Sequence, residues 1–498
     1  MMHLFGFLMC WTPVLLLALL AVGLKRPALD LSICGTLFTI GLVVFYFNTP
    51  MRVVLTAGLD GVITVLPLVL VIFAGIHLST LLIATGSFKR TVDWVMTGVR
   101  DAFHRSILIT LGVGNFMEGA SVIAEPVVAP MLRAAGVEPT GAAALSIVGY
   151  AGLMTLEVAG IFITVLALVT GLPVQGLALA SAWLSVPATL AMAACVPVFL
   201  PKPLGGLARL FLLLACGLVM AMVALVTAAY VGVSISGMVG GLALIILLVL
   251  LGPRGLRLDG QTARDLAPFA FILVVLLLLN TVPWLRNLTF DQLTVKVSLV
   301  PIHTITLRPF FSAYLYIFLA FVLAAYLLKV PSDEVRRSLR EGCKRGWRAV
   351  VATGLFGAMG QIIAYSGYQT DFSQLIQRHN LPWVLAHGLA DYTGNIYPLF
   401  APFLGWVGTF LTGYGTASLM LFGQLQVQTG QLMGVSATWL ASGLAVGASL
   451  GSISSPFKIA LAASMCGAVG LEGTILRRTI PLGVAASFFI GLVLWVCL

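Results

Sequence analysis

"GNFMEGASVIAEPVVAP", residues 114–130, sets two carboxylates, Glu118 and Glu125, in a run that is otherwise small, apolar and broken by glycine and proline. Irregular backbone at membrane depth is tolerated only where it is buried in protein or lines a wet cavity. Ionisable groups there cost roughly 2.5 to 3.5 kcal/mol each on insertion scales, so they need a partner or a task. The stretch therefore reads as the middle of a re-entrant hairpin over residues 107–133 rather than as a simple span.

The same pattern returns later in the chain. "GNFMEG" at 114–119 recurs as "GTFLTG" at 408–413, and "GVEPT" at 136–140 recurs as "GVSAT" at 434–438. The second copy lies in another long, Gly- and Pro-rich apolar stretch, 396–430, which reads as a second re-entrant hairpin. After each hairpin comes a long apolar run interrupted by glycine, 140–170 and 436–470. Further apolar runs of membrane length lie near 7–24, 30–47, 60–83, 178–199, 207–231, 236–252, 266–282, 309–329, 349–366 and 480–497. Together they predict about twelve crossings.

The basic residues assign sides. Lys25 and Arg26, residues 89–105, Lys202, residues 254–264, residues 329–348, and Arg477 with Arg478 sit in short loops and are expected in the cytoplasm. Both termini and the 284–308 loop then fall outside, and the alternation in "LTVKVSLV" predicts a small hairpin of strands within that loop. With these sides the first re-entrant hairpin enters from the cytoplasm and the second from outside. The expected fold is an all-α polytopic membrane protein in one transmembrane domain, residues 1–498, built as an inverted-topology repeat. Its halves are about 1–200 and 266–498, joined by a linker pair at 207–252. Secondary transporters are built this way.

Composition agrees: the 498 residues are 60% hydrophobic and 9% charged. A net charge of +10 is explained by the loop lysines and arginines, so the lipid bilayer is the partner it implies and nucleic acid is not. The seven cysteines are scattered without a CxxC and read as packing residues, not a disulfide or metal framework. The first apolar run has no basic region before it and continues to about Gly23, so it is expected to be a retained span and not a cleaved signal.

Four ionisable groups lie at membrane depth: Glu118, Glu125, Glu157 in "GLMTLEVAG", and Lys458 in "GSISSPFKIA", its counterpart in the second half. They read either as a substrate and proton site at the repeat interface or as a structural salt-bridge set locking hairpin to span. Half-helices ending near 119–121 and 413–416 are expected to aim free N–H groups and positive dipole ends at the midplane, where Gly119 and Gly413 let a carboxylate approach the backbone. Ser121, Thr416, Ser418, Ser454 and Ser455 offer hydroxyl donors or, equally, small surfaces for close helix packing. "GASLG" at 447–451 matches the G-x-S-x-G nucleophile pattern but lacks a strand-turn-helix context and a His partner, so no enzyme is expected. The six histidines form no metal-spaced pair, and no metal or cofactor is expected. Residues 333–348 read as a cytoplasmic amphipathic linker.

"LLIATGSFKR", "GNFMEGASVIAEPVVAPMLRAAGVEP", "GIFITVLALVTGLP", "APFLGWVGTFLTGYGTASLMLFGQLQ" and "GSISSPFKIALAASMCGAVGLEG" resemble, in order and spacing, the hallmark segments of the bacterial L-lactate permease family. The resemblance spans nearly the whole chain and is most specific at "PFLGWVGTFLTG". It implies uptake of L-lactate, and often D-lactate or glycolate, with protons across the bacterial inner membrane. Glu118 keeps the family's hairpin glutamate and is thereby nominated as the proton-coupling carboxylate, with Glu125 and Glu157 beside it. Gly413, Thr416, Ser418, Phe422, Ser455 and Pro456 also fall on matching positions. Departures cluster around the same segments. Val122, Ile123 and Ala124 replace a G-F-G and are followed by Glu125, and Glu157 replaces a small residue. Gly415 stands for an aspartate, Leu419 for an asparagine, and Phe457 and Lys458 for a glutamine and a serine. The alternative within this fold is a transporter of another organic anion, with sodium as the coupling ion.

Overall fold

The computed structural model describes residues 4–498 apart from 25, 100, 201–205 and 253–257. The expected cytoplasmic positions of Lys25, Lys202 and Arg254 therefore lie outside the described residues. What is described is almost entirely helical, with one two-stranded sheet in the 284–308 loop. There Val295–Val297 pairs antiparallel with Ile305–Leu307, Lys296 opposite Thr306, as the alternation predicts.

Among the described residues nine helices are long and apolar enough to cross a membrane, or ten if the pair 437–454 and 456–466, bent by 43°, makes one span. The other two expected spans are present in altered form. Residues 140–170 fold as Pro139–Ala151 and Ile161–Thr170 on either side of a break, and 309–329 as the 15-residue helix Ala313–Leu327. Two boundaries differ from expectation. The run at 60–83 divides between Met51–Thr64 and Leu66–Ala84, because Pro67 in the first turn of the second helix has no N–H with which to continue the first. The linker at 333–348 is continuous with the span that follows, as the single 33-residue helix Ser332–Ala364. No glycine pair or proline stands at residues 348–350 to stop it.

Both hairpins form. In hairpin 1 a helical limb ending in Gly114–Gly119 turns through 120–124 into Glu125–Ala134, where Pro126 occupies the first turn. In hairpin 2, Ala401–Thr412 ends on Gly413 at φ +81°, and Gly415–Met433 runs back. A left-handed residue after a helix is the usual place for glycine, which carries no Cβ to clash.

Each following span is broken, by different chemistry. In broken span 1, Glu157 is extended and Val158, Ala159 and Gly160 take positive φ (50°, 52° and 73°). A β-branched residue rarely adopts that conformation, so packing must hold it there. In broken span 2, Ser455 is extended and its hydroxyl faces the Lys458 amide as an N-cap, with Pro456 starting the new helix.

The outer halves of these spans leave their own hairpins. Ile161–Thr170 packs on the second limb of hairpin 2, and Pro456–Cys466 packs on the second limb of hairpin 1. Hairpin 1 also leans on Val233–Leu250, and hairpin 2 on Ser332–Ala364. "GASLG" lies inside the continuous helix Ala437–Gly451, with no elbow. Its glycines make room for hairpin 2: a Cβ on Gly451 would stand 2.7 Å from the Trp406 carbonyl oxygen, and one on Gly447 would collide with the Pro402 carbonyl. Ser449 is buried there without a hydrogen-bond partner among the described residues.

Candidate functional site

The restart of broken span 2 at Pro456 sits between the two hairpins and presents a different residue to each. Lys458 reaches hairpin 1 and the span behind it. Its ammonium donates to the Tyr150 hydroxyl at 2.9 Å, lies 3.8 Å from Glu125 Oε1 and 3.7 Å from Met154 Sδ. Tyr150 in turn donates to Glu125 Oε1 at 2.6 Å. The result is a chain ammonium–phenol–carboxylate in which the Lys458 side chain is 12% exposed and Glu125 and Tyr150 are buried, at 2% and 0%. Glu125 is the acid that Lys458 meets among the described residues. Phe457, one residue earlier, faces the other way, with its ring 5.6 Å from that of Tyr414 in the turn of hairpin 2.

Glu118 is held differently. Its Oε1 accepts from the Ala124 amide at 2.8 Å, so the carboxylate closes its own turn. Glu157, fully buried at the break of span 1, finds no hydrogen-bond donor for either oxygen among the described residues, and Glu125 Oε2 also lacks one. Glu118, Glu125, Glu157 and Lys458 are close enough to interact electrostatically. Three buried carboxyls thus lie near one ammonium, which is itself 12% exposed.

At the tip of hairpin 1 the amides of residues 120–122 and 124 are already engaged, for a local reason, while no partner is found for those of Ile123 and Glu125 among the described residues. The N–H groups of Ala120, Ser121 and Val122 donate to the carbonyls of Phe116, Glu118 and Met117, and that of Ala124 to Glu118. Gly119 meets the backbone of Met238 in the linker helix: a Cβ there would stand 2.5 Å from Met238 Cα. Ser121 takes φ +61°, and its buried hydroxyl has no partner among the described residues.

The turn of hairpin 2 is built differently. The Tyr414 amide donates to Thr412 Oγ1 at 3.3 Å, but no backbone partner is found for the Gly415 and Thr416 amides among the described residues, as at other helix starts. Phe162, from the start of the helix after break 1, closes over Gly415, and Phe457 closes over Gly413. The turn of hairpin 2 is therefore flanked by one ring from each broken span. Thr416 is buried in the first turn. Ser418 Oγ donates to the Gly405 carbonyl at 2.9 Å and ties the two limbs together, while Ser455 is engaged as the cap described above. Ser454 accepts from Trp406 Nε1 at 3.2 Å and donates to the Thr479 carbonyl.

Sequence reasoning missed Tyr150, the bridge of the buried chain, because a tyrosine in an apolar run reads as packing. Its polar handle inside membrane-depth sequence was the available signal. It also passed over Asp60 and Asp265, both fully buried. Asp265 is held by Arg90 through two bonds of 2.8 and 2.7 Å, which join Ser87–Thr97 to Gly260–Thr281. His77 and His387 each place Nδ1 on the carbonyl four residues back, as satisfied packing histidines do.

Comparison with known proteins matches residues 6–253 and 264–498 to the family described as L-lactate permease. Glycolate permease GlcA of Escherichia coli K12 is 36% identical over 144 residues, 29% of this chain and 23% of that protein. The L-lactate permease of Salmonella typhimurium LT2 is 28% identical over 256 residues, 47% of this chain and 44% of that protein. Those two matches each span less than half of the relative's length. The L-lactate permease of Streptococcus iniae is 25% identical over 459 residues, covering 86% of this chain and 92% of that protein. The chain is a multi-pass membrane protein, and the match along both of its halves shows that it belongs to the L-lactate permease family.

Proposed function

We propose that the chain is a secondary active transporter of the bacterial inner membrane that imports L-lactate, or a related short monocarboxylate such as D-lactate or glycolate, together with protons. Two inverted halves, about 1–200 and 266–498, alternate access around the hairpin turns. The observation that carries this reading is the junction at Phe457 and Lys458, where one restarted helix touches both hairpins. A displacement of hairpin 1 changes the surroundings of Lys458, and one of hairpin 2 those of Phe457, on the same helix.

The chemistry of the junction favours an anion accompanied by a proton. Glu118, Glu125 and Glu157 already exceed the single ammonium of Lys458, so an anion brought to the junction without a proton adds like charge beside buried carboxyls, which is unfavourable. A proton taken by one of the glutamates, Glu118 in this proposal, cancels that charge. The turn of hairpin 2 supplies the complement: the amides of Gly415 and Thr416 and the Thr416 hydroxyl for a carboxylate, and the rings of Phe162 and Phe457 for a one- or two-carbon remainder. The presence of Glu125, Glu157 and Lys458 also supports the second reading, transport of a different organic anion coupled to sodium.

Counterflow in proteoliposomes against a panel of monocarboxylates separates these. Exchange of L-lactate, D-lactate or glycolate, with uptake driven by an inward proton gradient and indifferent to sodium, is expected. Uptake driven by sodium alone favours the second reading's coupling ion, and failure of every monocarboxylate to exchange removes the first reading.

A further inference from the structure

His303, in the loop between the two strands, inserts between two helices of the main body. Its Nδ1 lies 2.8 Å from Asp60 Oδ2, near the end of Met51–Thr64, and its Nε2 lies 2.9 Å from the carbonyl of Leu168, near the end of Ile161–Thr170. A carbonyl oxygen cannot donate, so Nε2 carries a hydrogen. The contact with Asp60 also needs one, whether it rides on the nitrogen or on the carboxyl oxygen. The two residues therefore hold one proton more than a neutral imidazole beside a carboxylate, and this count is the same for either tautomer. Asp60 is fully buried, and its Oδ1 has no partner among the described residues, so nothing else found there supports a bare carboxylate charge.

We propose that Asp60 and His303 form a second proton-holding site, a clamp that fastens the strand loop across the ends of Met51–Thr64 and Ile161–Thr170 while it keeps its proton and frees the loop when it loses it. Without the shared proton the imidazole has a single hydrogen, so one of its two bonds must become a contact between lone pairs, beside a buried negative charge. The helix that the clamp grips begins at the break after Glu157, so the loop is tied to the outer half of broken span 1.

The surroundings contain few competing charges. Ile161–Thr170 has no titratable residue, and Met51–Thr64 has only Arg52, two turns before Asp60. From the end of Ser332–Ala364 the Tyr365 ring stands 6.3 Å from that of His303, with Tyr368 5.8 Å beyond it and exposed Asp371 in the same segment. On the loop side Lys296 is exposed, and Arg308 lies over the Phe290 ring and donates to its carbonyl at 3.0 Å. Burial acts to lower the His303 pKa, but the hydrogen bond and charge of Asp60, with the Leu168 carbonyl, outweigh it and hold the imidazole above its ordinary 6.5. A group whose folded pKa is raised contributes its stability fully below its ordinary value and loses it as pH rises through the folded one. The clamp is closed in acid and opens on the alkaline side of 6.5.

Val300 reports the state of the loop, since it is fully buried against Val53 and Phe372 beneath it. In full-length protein, thiol labelling of Val300→Cys is compared with that of Lys296→Cys, an exposed site, so that the reagent's own pH dependence cancels. The ratio should rise with pH, by up to about tenfold per unit past the folded pKa for a one-proton clamp. Asp60→Asn separates the proton from the contact, because an amide N–H donates to Nδ1 while Nε2–H still reaches Leu168. That variant should stay protected at every pH, and His303→Ala should be open at every pH. A flat ratio in the parent, or an unchanged pH response in Asp60→Asn, overturns the proposal. Should Val300→Cys fail to fold, amide hydrogen exchange over 295–307 decides in its place, with parent and Asp60→Asn compared at the same pH. Faster exchange in the parent only in alkali is expected, and equal exchange throughout overturns the clamp.

Discussion

The two hairpins share a sequence skeleton and divide the physical work. Glu118 in "GNFMEG" and Thr412 in "GTFLTG" stand at equivalent places, and each accepts an amide from its own turn, from Ala124 and Tyr414 respectively. A carboxylate and a hydroxyl thus serve the same local role of closing a turn. The difference lies in what surrounds them. Hairpin 1 brings Glu118 and Glu125 to Lys458, Tyr150 and Glu157 and engages the amides of residues 120–122 within its own turn, while hairpin 2 is uncharged and flanked by Phe162 and Phe457. The repeat keeps the turn and lets its environment diverge, one half towards charge and the other towards a neutral turn covered by two rings, the recess proposed for the carboxylate.

The largest test of that division is Lys458→Ala. It strands Glu125 in a dry site, which costs about 3 to 5 kcal/mol when one member of a buried pair is removed. Thermal unfolding in detergent should show this as a large loss of folded protein. Adding Glu125→Gln should restore much of the stability, and what then matters is transport. A stable but inactive double variant assigns the ammonium to the substrate, and an active one makes the pair structural.

Tyr150→Phe is next, because it deletes the hydroxyl that both receives from Lys458 and donates to Glu125. The expected loss is about 1 to 3 kcal/mol, since two buried groups lose a partner while packing is kept. No loss would mean that Lys458 reaches Glu125 directly, without the phenol as a bridge between them.

How much of this was legible in advance follows from what each signal measures. Apolar length found the spans, and Gly-Pro interruption found both hairpins and both breaks, because these report local backbone and solvent preference. Alternation found the strands at 295–297 and 305–307. The continuity of Ser332–Ala364 was missed because a change from polar to apolar face resembles a boundary while nothing in the backbone enforces one. Which acid Lys458 meets, and that Tyr150 stands between, depends on tertiary packing across some three hundred residues of chain, 308 between Tyr150 and Lys458. No local pattern encodes it. The filled amides of hairpin 1 were equally hidden, since they depend on Ser121 taking a left-handed conformation that a serine seldom adopts.

Glu118→Gln keeps an oxygen to accept from Ala124, so the turn should survive with little change in stability. What it removes is a titrating group. If Glu118 carries the coupled proton, exchange of substrate should persist while accumulation against a gradient falls about tenfold or more, equivalent to about 1.4 kcal/mol of lost driving force. Unchanged acid-driven accumulation would leave Glu118 with the same role as Thr412, that of closing a turn, and the two hairpins would be more alike than their charges indicate.

Ser418→Ala is the smallest expected effect and the sharpest probe of the uncharged side. Ser418 Oγ donates to the Gly405 carbonyl at 2.9 Å, and its methylene fills the space left by Gly408 in the facing limb. Alanine keeps the carbon and loses only the hydroxyl. The Gly405 carbonyl belongs to a helix and accepts within it, so losing the side-chain donor should cost about 0.5 to 1.5 kcal/mol, at the low end for a second acceptor bond. Transport should then be nearly unchanged, because a hydroxyl already bonded between limbs is turned away from any ligand in the recess. Thr416→Val is the matched comparison: it is close in shape, stands in the first turn beside the two amides, and removes the hydroxyl nearest to them. If the recess binds the carboxylate, the threonine change should weaken half-saturation for substrate by about tenfold while the serine change leaves it alone, since one charge-assisted bond is worth about 1.5 to 3 kcal/mol. The opposite ranking, with Ser418→Ala impairing transport at unaltered stability, would mean that the limbs part during the cycle and expose that hydroxyl, making hairpin 2 a moving part instead of a fixed recess.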